Sequence, residues 1–171
     1  MLTLISGNQH KIKEWNQIIK VDAVELELME IQGTSEEIIK YKCEMAYKHI
    51  KRPCVVEDVG LEFNGMNGLP GPYIKSFLKM GLDKLYQLRS LGDGTAEAVC
   101  YIGYHDGTTI HIFKGVCKGE ICSPRISNGF GWDPIFKVGD KSYSEMTSEE
   151  KNKISHRRLA IQQLEKYLKS Q

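Results

Sequence analysis

The opening run most limits what this chain can become. Leu2 to Ile5 is short and apolar, Ser6-Gly7-Asn8 breaks it, and Ile12, Trp15, Ile18 and Ile19 then recur at helical spacing between Gln9 and Lys20. A strand that turns through glycine into an amphipathic helix starts an α/β layer, in which helices cover a sheet. Val24, Leu26 and Leu28 alternate with Glu25 and Glu27, as in a strand with one wet face. Thr34 with Glu37 forms a capping box, and Ile39, Cys43, Ala46, Tyr47 and Ile50 trace the buried stripe of a second helix that Pro53 closes. Cys54 to Val56 suits a short interior strand with Glu57 and Asp58 at its C-terminal end.

Two short helices are expected around Pro72 to Lys79 and Leu82 to Leu91. Ala96 to His105 and Thr108 to Val116 pair through an Asp106-Gly107 hairpin, another strand is expected through Gly119 to Cys122, and a last helix starts at Thr147 with Glu150 completing its cap. The order predicts one mixed α/β domain over 171 residues, with a parallel part and a long antiparallel hairpin. With 23 basic and 22 acidic residues, no global field draws the chain to nucleic acid or a membrane, so any anion site is local. No apolar run approaches the roughly 20 residues of a membrane span. The five cysteines contain no CxxC and fall in apolar stretches, which reads as reduced, structural thiols and a cytoplasmic protein.

Four segments carry candidate chemistry. In SGNQHK, Ser6 to Lys11, a strand-to-helix turn offers backbone N–H groups and the positive end of a helix dipole to an anion, although Lys11 also reads as a solvated surface lysine. Glu30, Glu57 and Asp58 form an acid set; carboxylates at strand ends hold Mg²⁺ through hard oxygens, or are simply solvated. In NGFGWDP, Asn128 to Pro134, Phe130 and Trp132 either present aromatic faces to a flat ligand or cover the core edge, and Asp133 can accept hydrogen bonds from a ring edge. In EEKNKISHRRLA, Arg157 falls in a stripe with Ile154, Ile161, Leu164 and Leu168. A charge there needs a partner, either an acid of the fold or a ligand, and His156 lies about 100° around the same helix.

In this order, SGNxxK, EDVGLEFNGMNGLPGPYIKSFL, GFGWDPIF and YSEMTSEEKNKISHR resemble the inosine triphosphate pyrophosphatase family over nearly the whole chain. The resemblance implies an ITPase-like, Maf/Ham1-type fold: an elongated central mixed β-sheet with two lobes around a deep nucleotide-binding cleft, usually as a homodimer. It also implies Mg²⁺-dependent (or Mn²⁺-dependent) hydrolysis of non-standard purine nucleoside triphosphates, ITP, dITP or XTP, to monophosphate and pyrophosphate.

By position, the resemblance implies phosphate contacts from Ser6, Gly7, Asn8, Lys11 and Lys42, and metal ligation by Glu30 and Asp58. Asp58 is also the carboxylate expected to be catalytic, orienting or deprotonating the attacking water. Lys75 is implied to touch substrate, Phe130, Gly131, Trp132 and Asp133 to hold the base, and Lys151, His156 and Arg157 to close the pocket. Val59 stands where Ser or Thr is expected, Ser6 replaces the more usual Thr, and the segment between Leu78 and Ala96 is short for the family. The rival readings are a pyrophosphatase for another modified or pyrimidine triphosphate, and a nucleotide-binding module without hydrolysis.

Overall fold

The computed structural model describes residues 1–125 and 130–171. Asn128 and Gly129 of the aromatic loop lie outside the described residues. Strand β1 (Leu2–Ile5) leads to helix α1 (Gln9–Ile18), followed by β2 (Val21–Val24), α2 (Ser35–Ile50) and β3 (Cys54–Phe63). The two-residue strand β4 (Pro70–Gly71), α3 (Ile74–Phe77) and α4 (Leu82–Gln87) come next, then β5 (Thr95–His105) and β6 (Ile110–Ile121). The chain finishes with β7 (Phe136–Val138), β8 (Lys141–Ser142), α5 (Ser148–Ile154) and α6 (His156–Lys169).

The strands form an open mixed sheet in the order β2-β1-β3-β5-β6-β7-β8, with β4 added to β3. β1 runs parallel to both β2 and β3, whereas β6–β7 and β7–β8 are antiparallel. β5 and β6 are neighbours joined by the Asp106–Thr109 turn, in which the Asp106 carboxylate accepts from the N–H groups of Thr108 and Thr109. This is the expected mixed α/β class. No helix among the described residues is long and apolar enough to cross a membrane.

The chain divides into two compact units. The first comprises Met1–Asp58, Cys100–Gly115 and His156–Gln171; the second comprises Val59–Val99 and Val116–Ser155. The first buries Leu4, Trp15, Ile39, Cys43, Ala46, Val56, Ile102, Ile161 and Leu164 between sheet and helices. Its α2 begins with the expected reciprocal capping box, Thr34 with Glu37, and ends at Lys51 in the left-handed conformation, two residues before Pro53. The core of the second unit gathers Leu61, Phe63, Ile74, Leu85, Ala98, Trp132, Phe136 and Tyr143.

Several sequence expectations are corrected. β2 occupies Val21–Val24, so the alternation that starts at Val24 runs on from Glu25 to Leu28 in an irregular segment. β3 does not end at Val56; it continues to Phe63, because Leu61 and Phe63 still alternate inward and β4 pairs with Leu61 and Glu62. The strand expected at Gly119 to Cys122 is the far end of β6. The last helix is two helices, broken by extended backbone at Ser155 (ψ 154°), which leaves Ile154 outside the α6 stripe and 37% exposed. Thr147 caps α5 by accepting from the Glu150 N–H, while the Glu150 carboxylate pairs with Lys141 at 2.8 Å.

Candidate active site

In the first unit, candidate residues come from β1–α1, α2, β3 and the start of α6. Asn8 caps α1 with its side chain accepting from the N–H groups of His10 and Lys11, and Ser6 Oγ accepts from the Asn8 N–H at 3.1 Å. The Ser6-Gly7-Asn8 turn thus satisfies part of its own backbone, and fewer N–H groups are left for an anion than a bare helix start would offer.

Consecutive residues of a strand face opposite sides. This separates the two acids of β3. Glu57 turns toward α1 and α6, where Oε2 accepts from Trp15 Nε1 at 2.6 Å and Arg157 Nε at 2.8 Å, and Oε1 accepts from Arg157 Nη2 at 2.7 Å. Lys11 Nζ lies 3.5 Å from the same carboxylate, and Arg157 Nη1 is paired with Glu14. Of the two partners open to Arg157 from sequence, the fold supplies the acid: its guanidinium is buried and bidentate on Glu57. Burial alone would raise the Glu57 pKa, but the Arg157 and Lys11 charges and the hydrogen bonds from Arg157 and Trp15 overcome it and hold the carboxyl far below the usual range. Burial likewise opposes the Arg157 charge, and Glu57 outweighs it.

Asp58 turns the other way, toward α2. The Lys42 ammonium lies 3.6 Å from Asp58 Oδ1 and 3.5 Å from Glu30 Oε1, and donates to the Glu57 carbonyl at 3.3 Å. Burial raises the Asp58 pKa; Lys42 and Lys11 oppose this and Glu30 adds to it. Glu30 and Asp58 therefore share the Lys42 ammonium. No group of three His, Cys, Asp or Glu side chains suited to a metal exists among the described residues. Mg²⁺ ordinarily takes one or two carboxylates and completes its octahedron with waters and substrate phosphates, so two hard oxygen donors fit that ion.

At the α6 start, a Cβ on Gly115 would collide with the His156 carbonyl and with Ala160, so glycine on β6 lets α6 approach the strand backbone and fixes His156 and Arg157. Both side chains are buried.

The second unit holds the aromatic loop and Lys151. Trp132 is packed edge-on against Phe136 at 5.6 Å and tilted on Tyr143 at 5.9 Å, which is the core-covering alternative. Phe130 is only half-buried. The Lys151 ammonium lies 5.1 Å from both the Phe130 and Tyr143 ring centres and donates to Asp133 at 2.8 Å in a buried pair. Lys151 therefore sits on α5, not on the helix that carries His156 and Arg157. Gly131 holds a positive φ of 60°, a conformation glycine adopts without strain. Lys75, on α3, is exposed, and Val59 packs part-buried against the core of this unit.

Sequence reasoning missed three of these side chains. Trp15 reads in the sequence only as a stripe residue, although a buried indole N–H needs an acceptor and so points to a nearby acid. Glu14 carries no local signal, and Tyr143 stands in the YSEMTSEEKNKISHR motif without a role of its own.

The Ham1 family model matches residues 2–167. The chain is 42% identical to a protein of Schizosaccharomyces pombe named inosine triphosphate pyrophosphatase, over 99% of this chain and 96% of that one. Among solved structures, the Staphylococcus aureus Ham1 protein superposes with a TM-score of 0.83 at 32% identity, covering 99% of this chain and 98% of that one. A HAM1 protein from Coxiella burnetii gives 0.86 at 29% identity over the whole of both chains. The motifs, the mixed open sheet and these likenesses agree, and the chain belongs to the Ham1 family.

Proposed function

We propose that this chain hydrolyses non-canonical purine nucleoside triphosphates, ITP, dITP or XTP, to the nucleoside monophosphate and pyrophosphate. The observation that carries the reading is the convergence of Glu30 and Asp58 on one cation beside the Ser6–Lys11 turn of a chain whose relatives bear the name inosine triphosphate pyrophosphatase. Ser6, Gly7, Asn8, Lys11, Lys42 and Lys75 are assigned to the phosphates, and Glu30 and Asp58 to Mg²⁺. The ion, when bound, supplies Lewis-acid polarisation of a phosphoryl oxygen.

Asp58 is assigned to accept the proton of the attacking water, a carboxylate in the general-base role beside the ion. Lys11 and Lys42 offset the negative charge of the leaving pyrophosphate. Phe130, half-buried, offers a ring face to the purine, with Gly131, Trp132, Asp133 and Lys151 shaping that loop. His156 and the Arg157 N–H groups not spent on Glu57 and Glu14 are assigned to the 6-oxo group that separates hypoxanthine and xanthine from adenine. A pocket that leaves a guanine 2-amino group unpaired disfavours GTP.

Use of all 171 residues as one catalytic domain, assembly as a homodimer and a cytoplasmic location belong to the same proposal. A panel of ITP, dITP, XTP, GTP, ATP and pyrimidine triphosphates with Mg²⁺ tests the substrate class. The proposal expects kcat/KM for ITP to exceed that for GTP by at least about 10-fold. Equal values would refute it.

A further inference from the structure

The acids assigned to the metal already have a cation. Asp58 is 9% exposed, and a carboxylate so buried requires a counter-charge. The Lys42 ammonium supplies it, standing 3.6 Å from Asp58 Oδ1, 3.5 Å from Glu30 Oε1 and 3.3 Å from the Glu57 carbonyl oxygen. All three distances exceed the roughly 2.7–2.9 Å of a tight charge-assisted hydrogen bond. The ammonium is shared among three oxygens and bound closely to none. Lys42 stands on α2, whose Ile38, Ile39, Cys43 and Ala46 are buried, so the helix stays anchored while a flexible four-carbon chain carries the charge.

We propose that Lys42 is a displaceable stand-in cation for the metal site, occupying the electrostatic place between Glu30 and Asp58 until metal and polyphosphate arrive together. This rests on the assignment of Glu30 and Asp58 to the metal made above, and goes beyond the role of Lys42 as a phosphate contact. An ammonium and a divalent ion repel each other across the same two carboxylates, so a metal arriving alone must drive Lys42 off with no new anion to receive it. A metal arriving with a triphosphate brings that anion. By linkage, whatever draws Lys42 away raises metal affinity, and metal raises polyphosphate affinity by the same factor. The site is thereby kept from filling with metal in the absence of substrate.

The test is binding of Mn²⁺ alone to the full chain, followed by the electron paramagnetic resonance signal of free Mn²⁺. Lys42→Met removes the charge and keeps the stem, and is expected to bind Mn²⁺ at least about 10-fold more tightly than wild type, within the usual range of coupling between sites. Lys42→Arg retains a cation and is expected to bind like wild type. The gain is expected to vanish in Lys42→Met/Asp58→Asn, which ties it to this site. Equal or weaker Mn²⁺ binding by Lys42→Met would overturn the inference while leaving the metal assignment standing. Failure of both wild type and Lys42→Met to bind Mn²⁺ would overturn the metal assignment and the inference with it. Should Lys42→Met fold poorly, thermal melts with and without MnCl₂ serve instead: a larger Mn²⁺-induced rise than in wild type supports the proposal, and no rise overturns it.

Discussion

Replacing Arg157 by Met would strip the buried carboxylates of their main counter-charge. In the native chain Glu57 has a side chain 2% exposed and accepts two hydrogen bonds from the guanidinium, at 2.8 and 2.7 Å, while the same group pairs with Glu14, 13% exposed. Removing one member of a buried pair typically costs about 3–5 kcal/mol, because a charge is stranded out of water. Trp15 at 2.6 Å and Lys11 at 3.5 Å still touch Glu57, which places the expected loss near the lower end, about 3 kcal/mol.

The sign with pH follows from the depressed Glu57 pKa. In wild type this group adds stability above its unfolded pKa of about 4.3, and that stability is lost as pH falls through the lower folded value. In Arg157→Met the burial that raises the pKa is opposed only by Lys11 and Trp15, so the stranded charge costs most at neutral pH. The gap between the proteins is therefore expected to narrow on acidification. Urea unfolding at pH 7.5 and pH 5 measures both quantities. The double variant Arg157→Met/Glu57→Leu is expected to recover much of the loss, since apolar replacement of a whole buried pair is often neutral or stabilising. A loss below about 1 kcal/mol at pH 7.5, the scale of a surface pair, would refute the reasoning.

Other consequences follow from packing and burial. Gly115→Ala is expected to destabilise the chain by about 1–3 kcal/mol in urea unfolding, since its Cβ collides with the α6 backbone. All five cysteines are buried, and burial pushes the Cys43 thiol up to about 12; thiol reagents at pH 8 are expected to modify none in the native protein and five after denaturation. Phe130→Ala is expected to raise the KM for ITP by about 10-fold, given about 1–3 kcal/mol per base stacked on an aromatic ring, with kcat less affected in steady-state kinetics.

Much of the fold was legible because local patterns matched the periods of their elements. The glycine turn after β1, the Thr34–Glu37 box of α2 and the Asp106-Gly107 turn all act over a few residues, and each appears where its residues stand. What failed depended on distant partners. β3 runs on past Asp58 because β4 lies beside it, and Glu25 to Leu28 leaves the sheet although its residues alternate. One helical period was read through Ser155, where the backbone opens and the chain passes from the second compact unit to the first.

The candidate site shows the same division. The SGNxxK turn and the acid pair were visible as residue types, and neighbours along a strand are known to part to opposite faces. Which acid met Arg157 and which met Lys42 was not visible, because the donors lie 100 and 16 positions away in the chain. The aromatic loop offered two readings for Phe130 and Trp132 alike. Packing against Phe136 and Tyr143 commits Trp132 to the core and leaves Phe130 half-buried.

Asp58 is the residue on which the proposed hydrolysis depends most directly. Pyrophosphate release from ITP, followed by ³¹P NMR in MgCl₂ with wild type and Asp58→Asn, is expected to show one pyrophosphate per inosine monophosphate from wild type. The folded variant is expected to lose at least about 100-fold in rate, the scale of a missing general base. Orthophosphate as the product, no turnover by wild type, or near-normal turnover by Asp58→Asn would contradict it.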